Sequence, residues 1–362
     1  MLLPSYPSAP PGPLKQVAFL YDNAAAAIAL VGCGQPAQAR RIGDALLLAL
    51  DHDRFWHDGR LRNGYAAGTV SEAPLKLAGW WDSKAQRWLE DDYQAGSDSG
   101  NLAWTILALL TLDDTGKRYA RGATRIAGWL QAQLDRRGAG GFTGGSFGSE
   151  AAPRPLQWKS TEHNVDLAAA FARLAAASGD GHWLPLAHSA TAFVAAMWDP
   201  ARGAFAAGTS EDGVTRNPRL ALDAQVWPLL ALPGAAARYG EVLTQGMPRL
   251  RAGRGGAEGF AYSDAGGGVW TEGTAQVALF DRLSGQGGLG ALLAVLEQAR
   301  AGDAGYFATT AAALPTGFML DTDPAQPRVY LHLAHLGALA WVALAQQGFN
   351  PFTGTRQLPQ QE

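Results

Sequence analysis

Two glutamates in this chain occur in the same local setting, directly after a threonine and at the start of an apolar segment with helical periodicity. Glu162 follows Thr161, and Glu272 follows Thr271. Cleavage of a glycosidic bond needs one carboxylic acid that protonates the leaving oxygen and a second carboxylate that acts as base or nucleophile. We therefore predict that Glu162 and Glu272 form a catalytic pair, with Glu162 as the general acid.

A carboxylate at the start of a helix has a second explanation, because the free N–H groups and the helix dipole favour a capping acid there. Glu162 and Glu272 are both open to this interpretation. An N-terminal position also lowers the pKa of a carboxyl group. An acid role for Glu162 therefore requires burial or neighbouring carboxylates that raise its pKa.

Other polar side chains also precede apolar segments. Asp22 opens a segment with no other polar side chain beyond Asn23, so we predict a buried, partnered carboxylate and count Asp22 with the catalytic candidates. The remaining polar candidates are predicted to bind substrate, and they are Asp98, Asp223, His163, Asn164, Tyr21 and His332. His332 and His335 share one helical face, but no Cys or Glu at ligand spacing joins them, so no metal is predicted. No cofactor is predicted, because no phosphate-binding fingerprint follows a strand.

Tryptophans are frequent in the predicted loops. The flat face of an indole stacks on the apolar face of a sugar ring, and an exposed tryptophan is otherwise costly. Three of the 12 tryptophans are predicted to bind substrate, namely Trp81, Trp158 and Trp270. The segment from His52 to Ser97 is the longest without a clear helix, and such loops are usually functional. We predict that it forms one wall of a cleft.

The elements that must position these residues are six short segments that are apolar on every side. A helix of that kind must be buried, and each of the first five is followed by a second, more exposed helical segment. The inner segments are Asp22–Val31, Asn101–Leu112, Glu162–Ala177, Leu220–Leu232, Thr274–Leu283 and Leu331–Ala345. Their outer partners are Pro36–Leu50, Lys117–Leu134, Trp183–Met197, Ala235–Leu250 and Gln286–Arg300. The sixth partner is expected to be missing or reduced, and residues before Asp22 are expected to help close the ring.

Glycine–aromatic pairs recur after the outer segments, as in Gly203-Ala204-Phe205 and Glu258-Gly259-Phe260. Such pairs between polar turns predict small β-hairpins. The uneven spacing of the six helical hairpins favours a closed ring over an open solenoid. The polar clusters would then converge on one end of the ring, which we call the rim.

Composition excludes several classes of function. Of 362 residues, 47% are hydrophobic and 17% charged, which suits a large buried core. A net charge of -3 without a basic run excludes nucleic acid as a partner. The apolar stretches fall far short of the ~20 residues that span a bilayer. We expect a monomer. The Pro-rich start resembles a linker after a removed leader, which would imply secretion or a periplasmic location, and a cytoplasmic one otherwise.

This arrangement resembles the (α/α)6 toroids of the six-hairpin glycosidase superfamily. Asp22-Asn23-Ala24, Ser160–Asn164 and Trp270–Thr274 stand where such enzymes carry active-site residues. The resemblance covers residues 15–348 and implies an all-α toroid, a bacterial glycoside hydrolase, and a polysaccharide or oligosaccharide substrate. Residues 1–14 are expected to be flexible, and residues 349–362 to form a tail. The Asp-Ala-Asp signature of the family eight endoglucanases is absent.

Two other functions stay open. A polysaccharide lyase on the same toroid would abstract a proton beside a uronate, for which His163, Asn164, Tyr21 and Tyr330 are available. Lyases that act on acidic glycans need cationic subsites, whereas the rim motifs are acidic, so hydrolysis is favoured. The third candidate is a non-catalytic glycan-binding protein. The glycine–aromatic turns also resemble those of prenyltransferase and terpene-cyclase toroids, although the Asp-rich motif of the cyclases is absent.

Overall fold

The computed structural model describes residues 1–70, 75–112, 117–254 and 257–360. Residues 71–74 of the predicted loop His52–Ser97 therefore lie outside the described residues. The helices are α1 (Leu20–Gly32), α2 (Pro36–Asp51), α3 (Asp92–Ala95), α4 (Ser99–Thr111), α5 (Arg118–Gln131), α6 (Thr161–Ser178), α7 (Leu184–Ala196), α8 (Leu222–Ala231), α9 (Ala235–Arg238), α10 (Thr271–Ser284), α11 (Leu289–Gln298) and α12 (Leu336–Gln347).

Six of these helices form a closed inner ring in the order α1, α4, α6, α8, α10 and α12. Each contacts the next, and α12 returns to contact α1. Small side chains allow this close approach, as in α1, where Ala24 to Ala27 are all buried. The inner helices are largely apolar because their sides face outer helices, neighbouring inner helices or the lumen. The predicted all-α toroid is confirmed.

The outer layer is less regular than the inner one. Helices α2, α5, α7 and α11 each pack on the inner helix that precedes them. After α8, the short helix α9 is followed by a π-helical turn, Val242–Gly246, and a 3-10 turn, Met247–Leu250. After α12 the described residues 348–360 contain turns and no helix. The missing sixth outer helix is therefore confirmed. No helix in the described part of the chain combines the length and apolarity needed to span a bilayer.

Short strands connect the helices. They are β1 (Val17–Phe19), β2 (Gly64–Ala66), β3 (Gly79–Asp82), β4 (Arg87–Glu90), β5 (Ser97–Asp98), β6 (Gly145–Phe147), β7 (Arg154–Leu156), β8 (Trp198–Asp199), β9 (Ala204–Phe205), β10 (Gly208–Thr209), β11 (Arg216–Asn217), β12 (Arg251–Arg254), β13 (Ala257–Phe260), β14 (Ala313–Met319) and β15 (Pro327–Leu331). They pair antiparallel in two-stranded sheets and one three-stranded sheet, β5-β6-β7. Phe205 and Phe260 of these two glycine–aromatic segments lie in β9 and β13, each the second strand of a hairpin, so the hairpins predicted at these two segments are confirmed.

The N-terminal segment differs from the expectation that residues 1–14 are flexible. Leu2 pairs with Gly68 through both backbone N–H groups, and the carbonyl of Ser5 accepts the N–H of Leu336. The ring of Tyr6 stacks on that of His335 at 4.6 Å between centroids. Because these apolar side chains are buried and the backbone groups are paired, the structure places this segment against the ring.

The C-terminal tail reaches the lumen. Phe352 is buried, and its ring contacts the indoles of Trp104, Trp227 and Trp341, from three different inner helices. Asn350 fixes this turn through its Nδ2, which donates to the carbonyl of Leu230 at 2.9 Å. An aromatic cluster thus fills the ring. The domain boundaries at residues 15 and 348 stay predictions.

Candidate active site

Glu272 lies at the start of α10 within a hydrogen-bonded network from two other inner helices. Tyr21 in α1 donates from Oη to Glu272 Oε1 at 2.5 Å, and Trp341 in α12 donates from Nε1 to Tyr21 Oη at 2.6 Å. Glu272 is 2% exposed. Its carboxylate is therefore oriented by a phenol that is itself held by an indole.

His335, the N-cap of α12, lies between two buried carboxylates. Its Nε2 is 3.2 Å from Asp22 Oδ2, and its Nδ1 is 3.8 Å from Glu272 Oε2. Nδ1 also accepts the N–H of Ala338, which leaves the proton of a neutral ring on Nε2, facing Asp22. The sequence placed His332 and His335 on one face of a helix, but α12 begins only at Leu336.

The pKa of Glu272 is raised to about 7, chiefly by burial. Nearby Asp22 raises it further, whereas His335 and the bond from Tyr21 lower it. The pKa of His335 is also raised, because Asp22 and Glu272 outweigh the opposing effect of burial. Glu272 therefore exchanges its proton near neutral pH, which suits a general base.

A glycine makes room for this cluster. A Cβ at Gly337 would lie 2.8 Å from Asp22 Oδ1, 2.8 Å from His335 Cε1 and 2.9 Å from Glu272 Oε2. Contacts this short are strongly repulsive. The first turn of α12 can approach the two carboxylates only because position 337 carries no side chain.

Glu162 and Asp223 form a second carboxyl pair at the rim. Glu162 lies in the first turn of α6 and Asp223 in the first turn of α8, and their carboxyl groups interact directly. Burial raises the pKa of Glu162 well above its usual range, and the charge of Asp223 raises it further. The pKa of Asp223 is raised to about 6, mainly by burial. Two carboxyl groups in contact cannot both ionise readily, so Glu162 holds the shared proton.

The two carboxyl centres are neighbours. The charge of Asp223 acts on both Glu162 and Glu272, and the phenol of Tyr262 is affected by all three. Aromatic rings form the wall beside them. Tyr262 contacts Trp270 at 4.7 Å between ring centroids, and Tyr330 from β15 contacts Trp270 at 5.7 Å. The rim thus combines carboxyl groups with flat apolar faces.

Asp98 occupies the rim in front of α4. Its Oδ1 accepts from Asn63 Nδ2 at 3.0 Å, and its N–H donates to Asn63 Oδ1 at 2.7 Å. Burial raises the pKa of Asp98 to about 7, although Asn63 and the charge of Arg328 oppose this.

His163 and Trp158 pack together at 5.3 Å between centroids, and burial lowers the pKa of His163 to about 4.

Three predicted substrate-binding residues lie apart from the carboxyl centres. Asn164 binds the backbone of Phe142, whose N–H donates to its Oδ1 at 2.9 Å. His332 contacts the carbonyl of Thr309 through Nδ1 at 2.7 Å. Trp81 projects from the β3–β4 hairpin with 58% of its surface exposed. Roles in substrate binding for these three stay predictions.

Several residues of the site were missed in the sequence. Asp166 and Gln276 follow Glu162 and Glu272 by one helical turn and are buried, and Asp166 Oδ1 and both polar atoms of Gln276 have no hydrogen-bond partner among the residues that the structure describes. The spacing of four residues from each glutamate was the available signal. Among the described residues, no group of three or more His, Cys, Asp or Glu is arranged to hold a metal ion.

Comparison with known proteins yields similarity in fold alone. No family model matches the sequence, and no curated protein sequence is similar to it. A family 76 glycoside hydrolase from a bovine Bacteroides thetaiotaomicron strain matches with a TM-score of 0.55 and 12% identity over 94% of this chain and 74% of that chain. A glycosidase variant in complex with glucose matches with a TM-score of 0.57 and 14% identity over 96% and 91%.

A bacterial glucoamylase complexed with acarbose also matches, with a TM-score of 0.57 and 10% identity over 94% of this chain and 49% of that chain. This chain thus spans about half of the glucoamylase. Together with the closed ring of six inner helices, these matches show that the chain has an (α/α)6 toroid fold.

Proposed function

We propose that this protein is a glycoside hydrolase that cleaves a polysaccharide or oligosaccharide, with Glu162 as the general acid and Glu272 as the base or nucleophile. The observation that carries the proposal is that two neighbouring carboxyl centres have different hydrogen-bond partners and different proton occupancy. Glu162 holds a proton shared with Asp223, whereas Glu272 accepts a hydrogen bond from Tyr21. One acid and one base with separated roles are what glycosidic cleavage requires.

The acid step begins at Glu162. Its raised pKa keeps the carboxyl group protonated at neutral pH, so it can transfer that proton to the glycosidic oxygen as the bond to the anomeric carbon breaks. After the transfer the leaving group keeps that proton, and the Glu162 carboxylate lies against the carboxylate of Asp223, so their repulsion favours uptake of a new proton from solvent by Glu162. The pair therefore supplies an acid that regenerates after each turnover.

The second step uses Glu272. With a pKa of about 7, its carboxylate can accept a proton from water that attacks the anomeric carbon, or attack that carbon itself. The bond from Tyr21 fixes Oε1, so Oε2 is the oxygen that remains for the reaction. Asp22 and His335 lie directly beside Glu272 and form the support of this base.

The test is hydrolysis of a panel of neutral and acidic glycans, measured by the release of reducing ends. Glu162→Gln and Glu272→Gln should each lower kcat by at least about 1,000-fold, because each removes a group that acts in the transition state. Glu241→Gln is the matched control, because Glu241 is an exposed glutamate on the outer layer. Full activity in both site variants would exclude this assignment.

The configuration of the first product, followed by proton NMR, separates the two roles open to Glu272. Inversion at the anomeric carbon identifies it as a base acting on water, and retention as a nucleophile. The configuration of the product therefore tests the role of Glu272, whereas the release of reducing ends tests whether the reaction is hydrolysis.

A lyase is the second candidate, because Tyr330 and Tyr262 line the rim beside the carboxyl groups. Burial raises the pKa of both phenols well above the usual range, which makes their ionised forms poor candidates for a base at neutral pH. Formation of an unsaturated product, detected by its ultraviolet absorbance, would favour the lyase over the hydrolase.

A further inference from the structure

Arg328 is a rim residue without a function in the reaction described above. It lies on β15, two residues before Tyr330, and side chains two apart in a strand point to the same face. Tyr330 contacts Tyr262 and Trp270 at 5.7 Å each, so this face of the β14–β15 hairpin is directed at the rim. The guanidinium of Arg328 lies 5.0 Å from the ring centroid of Tyr93, which precedes the rim residue Asp98.

The guanidinium has no carboxylate partner among the described residues. Ion pairs there join other arginines to acids, such as Arg62 to Asp53 at 2.6 Å and Arg219 to Asp264 at 3.0 Å, and none includes Arg328. The Arg328 side chain is exposed to solvent. It hydrogen-bonds the phenol of Tyr93, and its other N–H donors are available to a ligand.

The acids that face Arg328 do not cancel its charge. Asp98 and Glu162 both respond to it, yet burial still raises the pKa of Asp98 to about 7 and that of Glu162 well above its usual range. His163 also responds, and burial keeps it neutral. Asp91 is a further carboxyl group that its charge affects, and burial raises the pKa of Asp91 too. Arg328 is thus a fixed cation beside acids whose raised pKa values favour their protonated forms.

This arrangement matches one ligand chemistry. A guanidinium presents paired N–H donors that fit the two oxygens of a carboxylate or sulfate, and these charge-assisted bonds are stronger than neutral ones. The rings of Tyr93, Tyr262 and Tyr330 offer apolar faces beside it for the sugar that carries the anion. A neutral glycan would leave the guanidinium without a partner of opposite charge.

We propose that Arg328 and the adjacent tyrosines form a subsite for an anionic substituent on a sugar, so that the natural glycan carries a uronate carboxylate or a sulfate ester. This inference rests on the proposed hydrolase for the statement about substrate. The subsite itself is a binding site and can be tested without turnover.

The binding experiment uses four soluble probes, followed by saturation-transfer NMR titration of the full-length protein. Sodium glucuronate and glucose 6-sulfate carry the anion, and methyl glucuronate and glucose do not. We expect the charged probes to bind about 10-fold or more tightly than the neutral ones. Arg328→Met should remove this preference, and Arg328→Lys should keep part of it.

Arg238→Met is the matched control, because Arg238 lies 5.2 Å from the ring of Tyr239 on the outer layer and should leave the preference unchanged. Thermal unfolding shows whether each variant is folded. If Arg328→Met is unfolded, Arg328→Lys decides the question with the same four probes. Equal affinity of wild-type protein for charged and neutral probes would overturn the proposal, and so would an equal loss of both in the Arg328 variants.

Turnover then separates this inference from the proposed function. If Arg328→Met changes the hydrolysis rates of neutral and acidic glycans equally, the hydrolase proposal stands and the anionic subsite is rejected. Charge-dependent binding with no hydrolysis of any glycan would retain the subsite and reject the hydrolase. Selective loss of acidic-glycan hydrolysis in Arg328→Met would support both.

Discussion

Tyr21 and Glu272 lie 251 positions apart in the chain, and the phenol of one donates a 2.5 Å hydrogen bond to the carboxylate of the other. The bond spans two inner helices, α1 and α10, that are not neighbours in the ring, since α12 lies between them. Trp341 of α12 completes the connection by donating to the same phenol. The orientation of the Glu272 carboxylate therefore depends on closure of the ring, which brings α1, α10 and α12 together.

Tyr21→Phe should lower kcat/KM by about 10- to 100-fold, because a hydrogen bond to a charged group contributes about 1.5 to 3 kcal/mol. The bond from Tyr21 lowers the pKa of Glu272, so its loss should move the acidic limb of the pH–rate profile to higher pH. The measurement is kcat/KM from pH 4 to 9, the range about the pKa of carboxyl groups and histidine. Tyr119→Phe is the control, because Tyr119 donates to Asp44 at 2.7 Å in the outer layer. An unmoved acidic limb would contradict the assignment of Glu272 as the ionised group.

Asp223→Asn should move the alkaline limb of the same profile to lower pH. Asp223 raises the pKa of Glu162 by its charge and by direct hydrogen bonding, so the amide variant should release the Glu162 proton more readily. The acid form needed for catalysis is then lost at a lower pH. Asp58→Asn, which breaks a surface ion pair with Arg60, serves as the control. If the alkaline limb stays in place, Glu162 is not the acid that it reports.

Gly337→Ala tests the space between Asp22, His335 and Glu272. Its Cβ would come within 2.9 Å of each of them, so we expect a loss of activity of about 100-fold or more and about 1 to 3 kcal/mol of destabilisation. Gly128→Ala is the control, because nothing lies within 4 Å of a Cβ at that helical position. That change should stabilise the protein by about 0.5 to 1 kcal/mol. Equal stability and activity in Gly337→Ala would show that α12 can shift away from the carboxylates.

Asp98→Asn should make the protein more stable at pH 8 and change its stability little at pH 4. The pKa of Asp98 is raised from 3.8 to about 7, so the folded state holds the proton more tightly than the unfolded state does. Stability from this group is present below the unfolded pKa and is lost as pH rises toward 7. Urea unfolding should show the variant more stable than wild type by about 2 to 4 kcal/mol at pH 8, with little difference at pH 4. A stability difference between variant and wild type that is the same at pH 4 and pH 8 would contradict the raised pKa of Asp98.

The inner ring could be predicted because its signal is local. Segments such as α1 and α4 are apolar on every side, and each follows a polar cluster that marks its start. Helix starts were less certain. The predicted inner segment Leu331–Ala345 begins at the last residue of β15, because the strand runs toward the helix without a break in composition.

The partners of the catalytic candidates could not be predicted, because they come from distant parts of the chain. Glu162 and Asp223 were both proposed, but only ring closure puts their carboxyl groups in contact. Trp341 lies within an apolar segment, and nothing in the sequence indicates that its indole N–H donates to Tyr21. Arg328 was missed because a lone arginine in a short strand has no distinguishing pattern.

The burial of Phe352 among Trp104, Trp227 and Trp341 determines whether a ligand could pass through the lumen of the ring. These rings fill the space between α4, α8 and α12, so the lumen is closed there. Under the proposed hydrolase function, a sugar chain would not thread between these helices, and substrate and product would use the same side of the ring.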